Sequence, residues 1–576
     1  MQRNPPLSFI MLLALIVGFS ACKNNGKPVE KDIALTPGEL REKTITNIRD
    51  ELEYAAKNGG GISDSVFLNN VALVKDYYSK QDYKPVWIEN DSWRSPTDSL
   101  IGFITSARLY GLFPDDYHLV AINKVRRRFA SDTSGKGDNR DAALWSRLDI
   151  TLTDAFFQLI KDIKLGRLPN DSVSLRKDSL LTPEDYTSRL NEFRQNNNIS
   201  QIMALLEPGH AGYRALRESL ADFLKNVSGT VFTKVPPPKP DPVSFRMALQ
   251  KRLVESGYLQ TDTIAADSIQ LVRAIRAFQQ DMGITVDGQA GSGTLRLLNL
   301  SDNDRFISIA ITLDRYKLLP ESMPDRYIWV NLPGYYMQLR QRDSVALYSK
   351  IVCGKPKTRT PLLTSAISDL VTYPQWTIPS SIIAKDILPA IKKNPDYLTM
   401  KGYSLVDYEG VEIDPYMVDW TKYSRGIPYK VVQGSGDDNA LGILKFNFPN
   451  KYAVYLHDTN QRYLFGQAMR SLSHGCVRVQ QWKELAYQII RYDNNDESAE
   501  EVSDFIPSPV EDSMNSWLEK KEKHRIPVRK NVPVFIRYFT CESKDGKIVF
   551  YDDIYGEDRL LQARYFSGKQ ALGAGY

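Results

Sequence analysis

Apolar and polar positions change period three times along the chain. From about residue 62 to 228 the apolar residues recur at helical spacing: Leu144, Leu148, Leu152, Phe156 and Ile160 form one stripe, and Leu216, Leu220 and Leu224 another. A shorter helix is expected near 38–57. Between about 240 and 300, two stripes (Phe245, Leu249, Leu253; Leu271, Ile275, Phe278, Met282) are punctuated by turns at Gly257-Tyr258 and Val286-Asp287-Gly288, which predicts a small helical unit. From Tyr327 to about Tyr492 the period becomes two. Ile328, Val330 and Leu332 alternate with Tyr327, Trp329 and Asn331, and the runs Val345–Cys353 and Leu444–Phe448 follow suit. This part reads as a β-rich domain over about 325–505. It is interrupted at about 374–440 by an irregular insert rich in Pro, Gly, Tyr and Asp. A helix-like piece, Val510–Lys523, and a hairpin turning at Asp545-Gly546 between Val532–Thr540 and Lys547–Tyr551 close the chain. The fold class is α+β and multidomain.

At 576 residues the chain is too long for one core. Its formal net charge of +5, with no basic block, argues against nucleic acid as a partner. Arg3, the apolar run Leu7–Phe19 and then Ser20-Ala21-Cys22 read as a signal peptide over 1–21. The ending Phe19-Ser20-Ala21-Cys22 resembles a bacterial lipobox. That resemblance implies a lipidated Cys22 as the first mature residue, a membrane anchor, and a periplasmic location at the outer membrane; plain secretion with an incidental Cys22 is the alternative. Residues 22–61 read as a tether, 62–235 as a helical scaffold, and Val235-Pro-Pro-Pro-Lys-Pro-Asp-Pro242 as a stiff linker into the 240–300 unit; 506–576 is a C-terminal extension. Cys353 and Cys541 lie in strand-like runs. An oxidising compartment would permit a bond between them, and their packing as small core residues is the other reading.

The densest chemistry is Ser473-His474-Gly475-Cys476-Val477-Arg478, preceded by His457 at the end of Lys451-Tyr-Ala-Val-Tyr-Leu-His457. Alternation puts Val454 and Leu456 on one face and Tyr455 and His457 on the other. A cysteine is a strong nucleophile only as its thiolate, which a nearby base or a helix N-terminus favours. Trp482, Leu485, Ala486 and Ile489 recur at helical spacing, so Cys476 is expected just ahead of a helix. Zinc is the competing reading, but His457, His474 and Cys476 lack a fourth ligand at usual spacing, and no Cys-x-x-Cys is present. His118 and His210, without acidic or cysteine neighbours at ligand spacing, read as surface or packing residues.

His457, fifteen intervening residues and then Ser473-His474-Gly475-Cys476 resemble the signature of the L,D-transpeptidase family. The likeness extends to Asn331-Leu-Pro-Gly-Tyr-Tyr336, Cys353-Gly-Lys-Pro-Lys-Thr-Arg-Thr-Pro361, Asp386-Ile-Leu-Pro389, Asn439-Ala-Leu-Gly442, Lys445-Phe446 and Tyr455-Leu-His-Asp-Thr459. These features resemble the large branch of the family, which has a scaffold, an embedded module and a capping insert. Leu249-Gln-Lys-Arg-Leu253, Gly257-Tyr258, Ala274–Gln279, Asp287-Gly288 and Gly293-Thr294-Leu295 resemble the three-helix peptidoglycan-binding module, which in a larger enzyme either binds wall or is structural.

The resemblance implies acyl transfer on peptidoglycan stem peptides without metal or organic cofactor, with release of a terminal D-alanine and 3→3 cross-linking. Cys476 would be the nucleophile and His457 the general acid/base, oriented by the backbone carbonyl at Asp458. The backbone N–H groups of His474, Gly475 and Cys476 would hold the oxyanion, with Ser473 and His474 shaping the turn. Candidate substrate-binding residues are Tyr455, Ser473, Arg478, Arg359 and Trp376. Where family patterns often carry Asn after Cys-x, this chain has Arg478. The same thioester could pass to water (a carboxypeptidase) or to a protein lysine, and an inactive wall-binding lipoprotein is the non-enzymatic reading. Carbapenems are implied as covalent inhibitors.

Overall fold

A computed structural model describes residues 28–63, 66–89, 92–176, 181–227, 231–260, 267–494 and 509–569. The signal segment and Cys22 lie outside the described residues. The chain divides into two compact units, one formed by residues up to 97 together with 120–155, the other by 98–119 and everything from 156 onward.

The first unit is helical, with two short hairpins. Its first helix, Pro37–Lys57, starts where Thr36 caps the Glu39 N–H and Pro37 fixes the first turn; it buries Leu40, Thr44, Ile48, Leu52 and Ala55 on one stripe. Asp149 is the unit's buried polar hub. Its carboxylate accepts from the backbone N–H groups of Val86 and Trp87 and from the Tyr78 hydroxyl, so a charge that burial would penalise is fully hydrogen-bonded.

In the second unit, three helices (Pro242–Glu255, Ser268–Asp281, Ser292–Leu298) form the small module expected at 240–300. Leu249, Leu253, Ile275, Phe278 and Met282 are buried as their spacing requires. A further helix, Asp302–Tyr316, was not anticipated. It is apolar nearly all round (Phe306, Ile307, Ile309, Ala310, Ile311 and Leu313 are all buried), so it carries no single stripe for periodicity to detect.

Seventeen strands follow: β1 Arg326–Asn331, β2 Tyr336–Gln341, β3 Ser344–Gly354, β4 Leu363–Ala366, β5 Asp369–Thr372, β6 Trp376–Thr377, β7 Tyr403–Val406, β8 Glu412–Ile413, β9 Lys430–Gln433, β10 Leu444–Asn447, β11 Leu456–His457, β12 Ser471–Ser473, β13 Val477–Val479, β14 Arg525–Pro527, β15 Pro533–Arg537, β16 Cys541–Lys544 and β17 Lys547–Phe550. Eleven belong to one sheet, in the order β14-β5-β10-β11-β13-β3-β2-β1-β15-β4, with β12 paired to β3. Strand β1 is buried on both faces. Ile328 and Val330 join the core under the β10–β13 region, while Tyr327 and Trp329 join the core that includes the three-helix module and Asp302–Tyr316.

The structure departs from the sequence expectations at four places. The insert is folded rather than irregular: β6, β9, β7 and β8 form their own four-stranded sheet over a core of Ile378, Ile383, Ile387, Leu388, Ile391, Leu398, Leu405, Trp420 and Val431. The C-terminal hairpin does turn at Asp545-Gly546, both at positive φ, but its first arm is β16; β15 instead runs parallel to β1 inside the main sheet. Cys353 and Cys541 are free, buried thiols in different cores. Finally, β13 separates Cys476 from the following helix, which begins only at Trp482, so a helix N-terminus does not activate this cysteine.

Candidate active site

Strands β10, β11 and β13 lie side by side, and their register fixes which side chains share a face. Leu456 stands opposite Phe446 and Val477, and all three are buried in the core. Their neighbours therefore emerge on the other face. There Lys445, His457 and Arg478 stand directly opposite one another across the three strands. One step back, Tyr455 and Cys476 share that face, with the Val477 N–H donating to the Tyr455 carbonyl at 3.1 Å.

The Ser473–Cys476 turn is held from several directions. The Ser473 hydroxyl donates to the Cys476 carbonyl at 2.7 Å and accepts the Gly475 N–H at 3.1 Å. Thr360 donates to the Gly475 carbonyl at 2.8 Å, and Thr358 and the Lys355 N–H each donate to the Ser473 carbonyl at 3.0 Å. Gly475 has φ +127°, a conformation L side chains rarely adopt. The His474 ring points to the insert, where Nε2 meets Asp386 Oδ2 at 2.9 Å. Ser473 is thus buried as a turn-former, and the Gly475 N–H is occupied. Among the described residues, no hydrogen bond engages the backbone N–H of His474 or of Cys476.

The partly exposed Cys476 thiol lies 3.8 Å from the Ala453 carbonyl, and the backbone N–H and hydroxyl of Tyr455 are near enough to favour its charged form. Burial pushes its pKa up; the two Tyr455 donors, Lys445 and Arg478 pull in the other direction. His457 is buried, and its Nδ1 sits against the Asp458 carbonyl. Burial above all, then the Arg478 charge, holds the His457 pKa down at about 3. The imidazole is therefore neutral at physiological pH. The Asp458 carboxylate does not touch the ring; it binds the Ile443 N–H and Arg462, pinning the strand junction.

The other candidates separate clearly. Trp376, at the root of the insert, lies close enough to the Tyr455 hydroxyl to act on its ionisation, which brings the cap beside Tyr455. Arg478 donates to Gln461 Oε1 at 3.0 Å, while its buried Nε has no hydrogen-bond partner. Arg359 does not point into the site: its guanidinium pairs with Glu557 at 2.7 Å and donates to the Tyr555 carbonyl. Lys445 and Asp386 are additions that function-directed reading of the sequence did not single out. For Lys445 a signal existed, since alternation along Leu444–Phe448 turns it away from the apolar face. Asp386 lies in one of the segments that carry the family likeness, but no local pattern gave it a role, because it reaches His474 only through the fold of the insert.

The family comparisons agree with this architecture. Residues 325–502 match the model described as the L,D-transpeptidase catalytic domain. The chain carries an L,D-transpeptidase catalytic domain. Residues 244–298 match a "Putative peptidoglycan binding domain", and 72–220 a scaffold domain. A Haemophilus influenzae protein described as a "Putative L,D-transpeptidase" is 36% identical over 253 residues, which is 44% of this chain and 48% of that protein. The chain thus spans about half the length of this curated relative. Among solved structures, an L,D-transpeptidase from Mycobacterium smegmatis aligns over 37% of this chain and 58% of its own at 14% identity and a TM-score of 0.17. One from Stackebrandtia nassauensis aligns over 50% and 88% at 14% identity and a TM-score of 0.18. Both scores are too low to establish a shared arrangement.

Proposed function

We propose that the L,D-transpeptidase domain forms 3→3 cross-links between peptidoglycan stems through a thioester on Cys476. The observation that carries this reading is the placement of Cys476 and His457 on one face of adjacent strands, with a neutral imidazole oriented by a backbone carbonyl.

In the first half-reaction the Cys476 sulfur attacks the carbonyl of the third stem residue, and its proton passes to His457. The free N–H groups of His474 and Cys476 hold the developing oxyanion. The carbon–nitrogen bond to the terminal D-alanine breaks, and the leaving amine takes the proton from His457. In the second half-reaction an amine of a neighbouring stem attacks the thioester and gives a proton to His457. The new amide forms, and the sulfur leaves and is reprotonated. His457 enters each half-reaction as neutral base, which its low pKa supports. The folded insert, joined to the site through Trp376 and Asp386, would shield the thioester from water and favour an amine as acceptor.

The three-helix module supports a wall-proximal role, and Cys22 is proposed as a lipid anchor facing the periplasm at the outer membrane. Replacing Cys22 with Ala should release the protein from membranes; retention after salt washing would remove the anchor. Incubation of the full chain with disaccharide-tetrapeptide tests the activity. Cross-linked dimers and free D-alanine are expected. Trimmed monomers alone would make the enzyme a carboxypeptidase, and protein-linked stems a stem-to-protein transferase. Unchanged substrate with a protein that pellets with sacculi would leave a structural wall-binding role.

A further inference from the structure

Lys445 is an ammonium group at the centre of the site without an acidic partner. Its Nζ lies 3.8 Å from the centroid of the Tyr455 ring, and no hydrogen bond or ion pair to a carboxylate is made by its side chain among the described residues. The nearest acidic group acting on it, Asp369, is already committed to Arg525 at 3.1 Å and to Asn447 at 2.8 Å. Half-burial without a counter-ion is costly for a cation, and it lowers the affinity of Lys445 for its proton; the Cys476 sulfur is the charge that most opposes this. Tyr455 links the two. Its ring lies under the ammonium, and its hydroxyl and N–H act on the sulfur to favour the thiolate. Arg478, the other cation acting on Cys476, follows it by two residues on the same face and stands across His457 from Lys445.

We infer that Lys445 is the built-in counter-charge of the Cys476 thiolate, stabilising the sulfur after its proton leaves. The inference rests on Cys476 as the nucleophile and explains how the thiolate is favoured at a site whose imidazole stays neutral. In the resting site no imidazolium supplies the charge, because it would be buried between two cations; His457 carries the proton only transiently during transfer. The helix after β13 starts too late to supply it. The groups around the sulfur are Tyr455 just ahead of β11, His457 from β11, Arg478 from β13 and Lys445 from β10, while His474 in the same turn is turned toward Asp386 of the insert. Lys445 is placed to act on the sulfur through space rather than by contact with substrate.

The test reads the sulfur directly and needs no turnover. The full chain is treated with iodoacetamide across a pH series, and carboxamidomethylation of Cys476 is followed by peptide mass mapping. In this reaction the sulfur–carbon bond forms as the carbon–iodine bond breaks, and only the thiolate reacts. Lys445→Met should slow alkylation about ten-fold at neutral pH and move its pH profile up by roughly one unit, in line with loss of one nearby opposite charge. Lys445→Arg should restore most of the rate. Lys445→Gln, closer in polarity, repeats the measurement should the Met variant lose its circular-dichroism signature. An unchanged alkylation profile in a folded Met or Gln variant overturns the proposal, and if cross-linking falls in the same variant, Lys445 binds a substrate carboxylate instead. Cross-linking that persists in Cys476→Ala would sink the nucleophile assignment independently of the Lys445 result.

Discussion

His457 and Arg478 face each other directly across two parallel strands, β11 and β13, with Lys445 on the imidazole's other side. A base flanked by two cations and buried cannot hold a proton in the resting enzyme, and its pKa of about 3 expresses this. The site is therefore organised around a neutral thiol and a neutral imidazole, rather than a preformed thiolate–imidazolium pair.

This arrangement predicts how stability depends on pH. The folded pKa of His457 lies below the value of about 6.5 expected in the unfolded chain. Between these values the unfolded state binds the proton and the folded state does not. Stability is thus highest above about pH 6.5 and is lost as pH falls toward 3. Replacing His457 with Gln removes that term. Melting curves at about pH 7 and about pH 4 should show a smaller acid-induced drop in Tm for His457→Gln than for wild type. Equal drops would contradict a buried neutral imidazole.

The His474–Asp386 contact ties the catalytic turn to the insert. Both side chains are substantially exposed, 39% and 48%, so the pair should contribute no more than about 1 kcal/mol. Asp386→Asn is expected to leave Tm nearly unchanged while slowing acylation several-fold, because the insert loses its contact with the catalytic turn. Equal acylation rates in wild type and variant would mean that the insert is positioned without this contact.

Gly475→Ala tests the turn itself. A Cβ would come no closer than 3.5 Å to the Arg359 carbonyl, so space is available, and the cost lies in φ +127°. Destabilisation of about 1–3 kcal/mol is expected, with strong loss of acylation as the Cys476 N–H is reoriented. Wild-type acylation by the alanine variant would show that the turn tolerates ordinary backbone.

Much of this was legible in the chain. The helical stripes, the three-helix module and the change to period two locate the scaffold, the module and the sheet. The alternation of Val454–His457 places Tyr455 and His457 on one strand face; that Cys476 shares this face follows from the register of β11 and β13. What stayed hidden depends on long-range pairing. A continuous-apolar helix such as Asp302–Tyr316 carries no stripe. β11 is only two residues long, because Ala453 adopts a positive φ just before it. The folded insert, the parallel docking of β15 on β1 and the turning of Arg359 toward Glu557 follow from tertiary contacts that no local pattern encodes.

The thiols offer a separate check. Burial pushes Cys353 up to about 12 and Cys541 higher, and neither is exposed. In the native protein, Cys476 should be the only described thiol that a brief, mild alkylation labels, with Cys353 and Cys541 reacting after denaturation. Peptide mapping reads this; recovery of a Cys353–Cys541 linked peptide would contradict the free-thiol assignment.

The central claim is that Cys476 carries the acyl group. Its most direct measurement is the intact mass of the chain after brief exposure to a tetrapeptide stem donor or to a carbapenem. A single covalent adduct that maps to Cys476, is absent in Cys476→Ala and is greatly slowed in His457→Ala is the predicted result. An adduct of the same mass in Cys476→Ala would contradict the account.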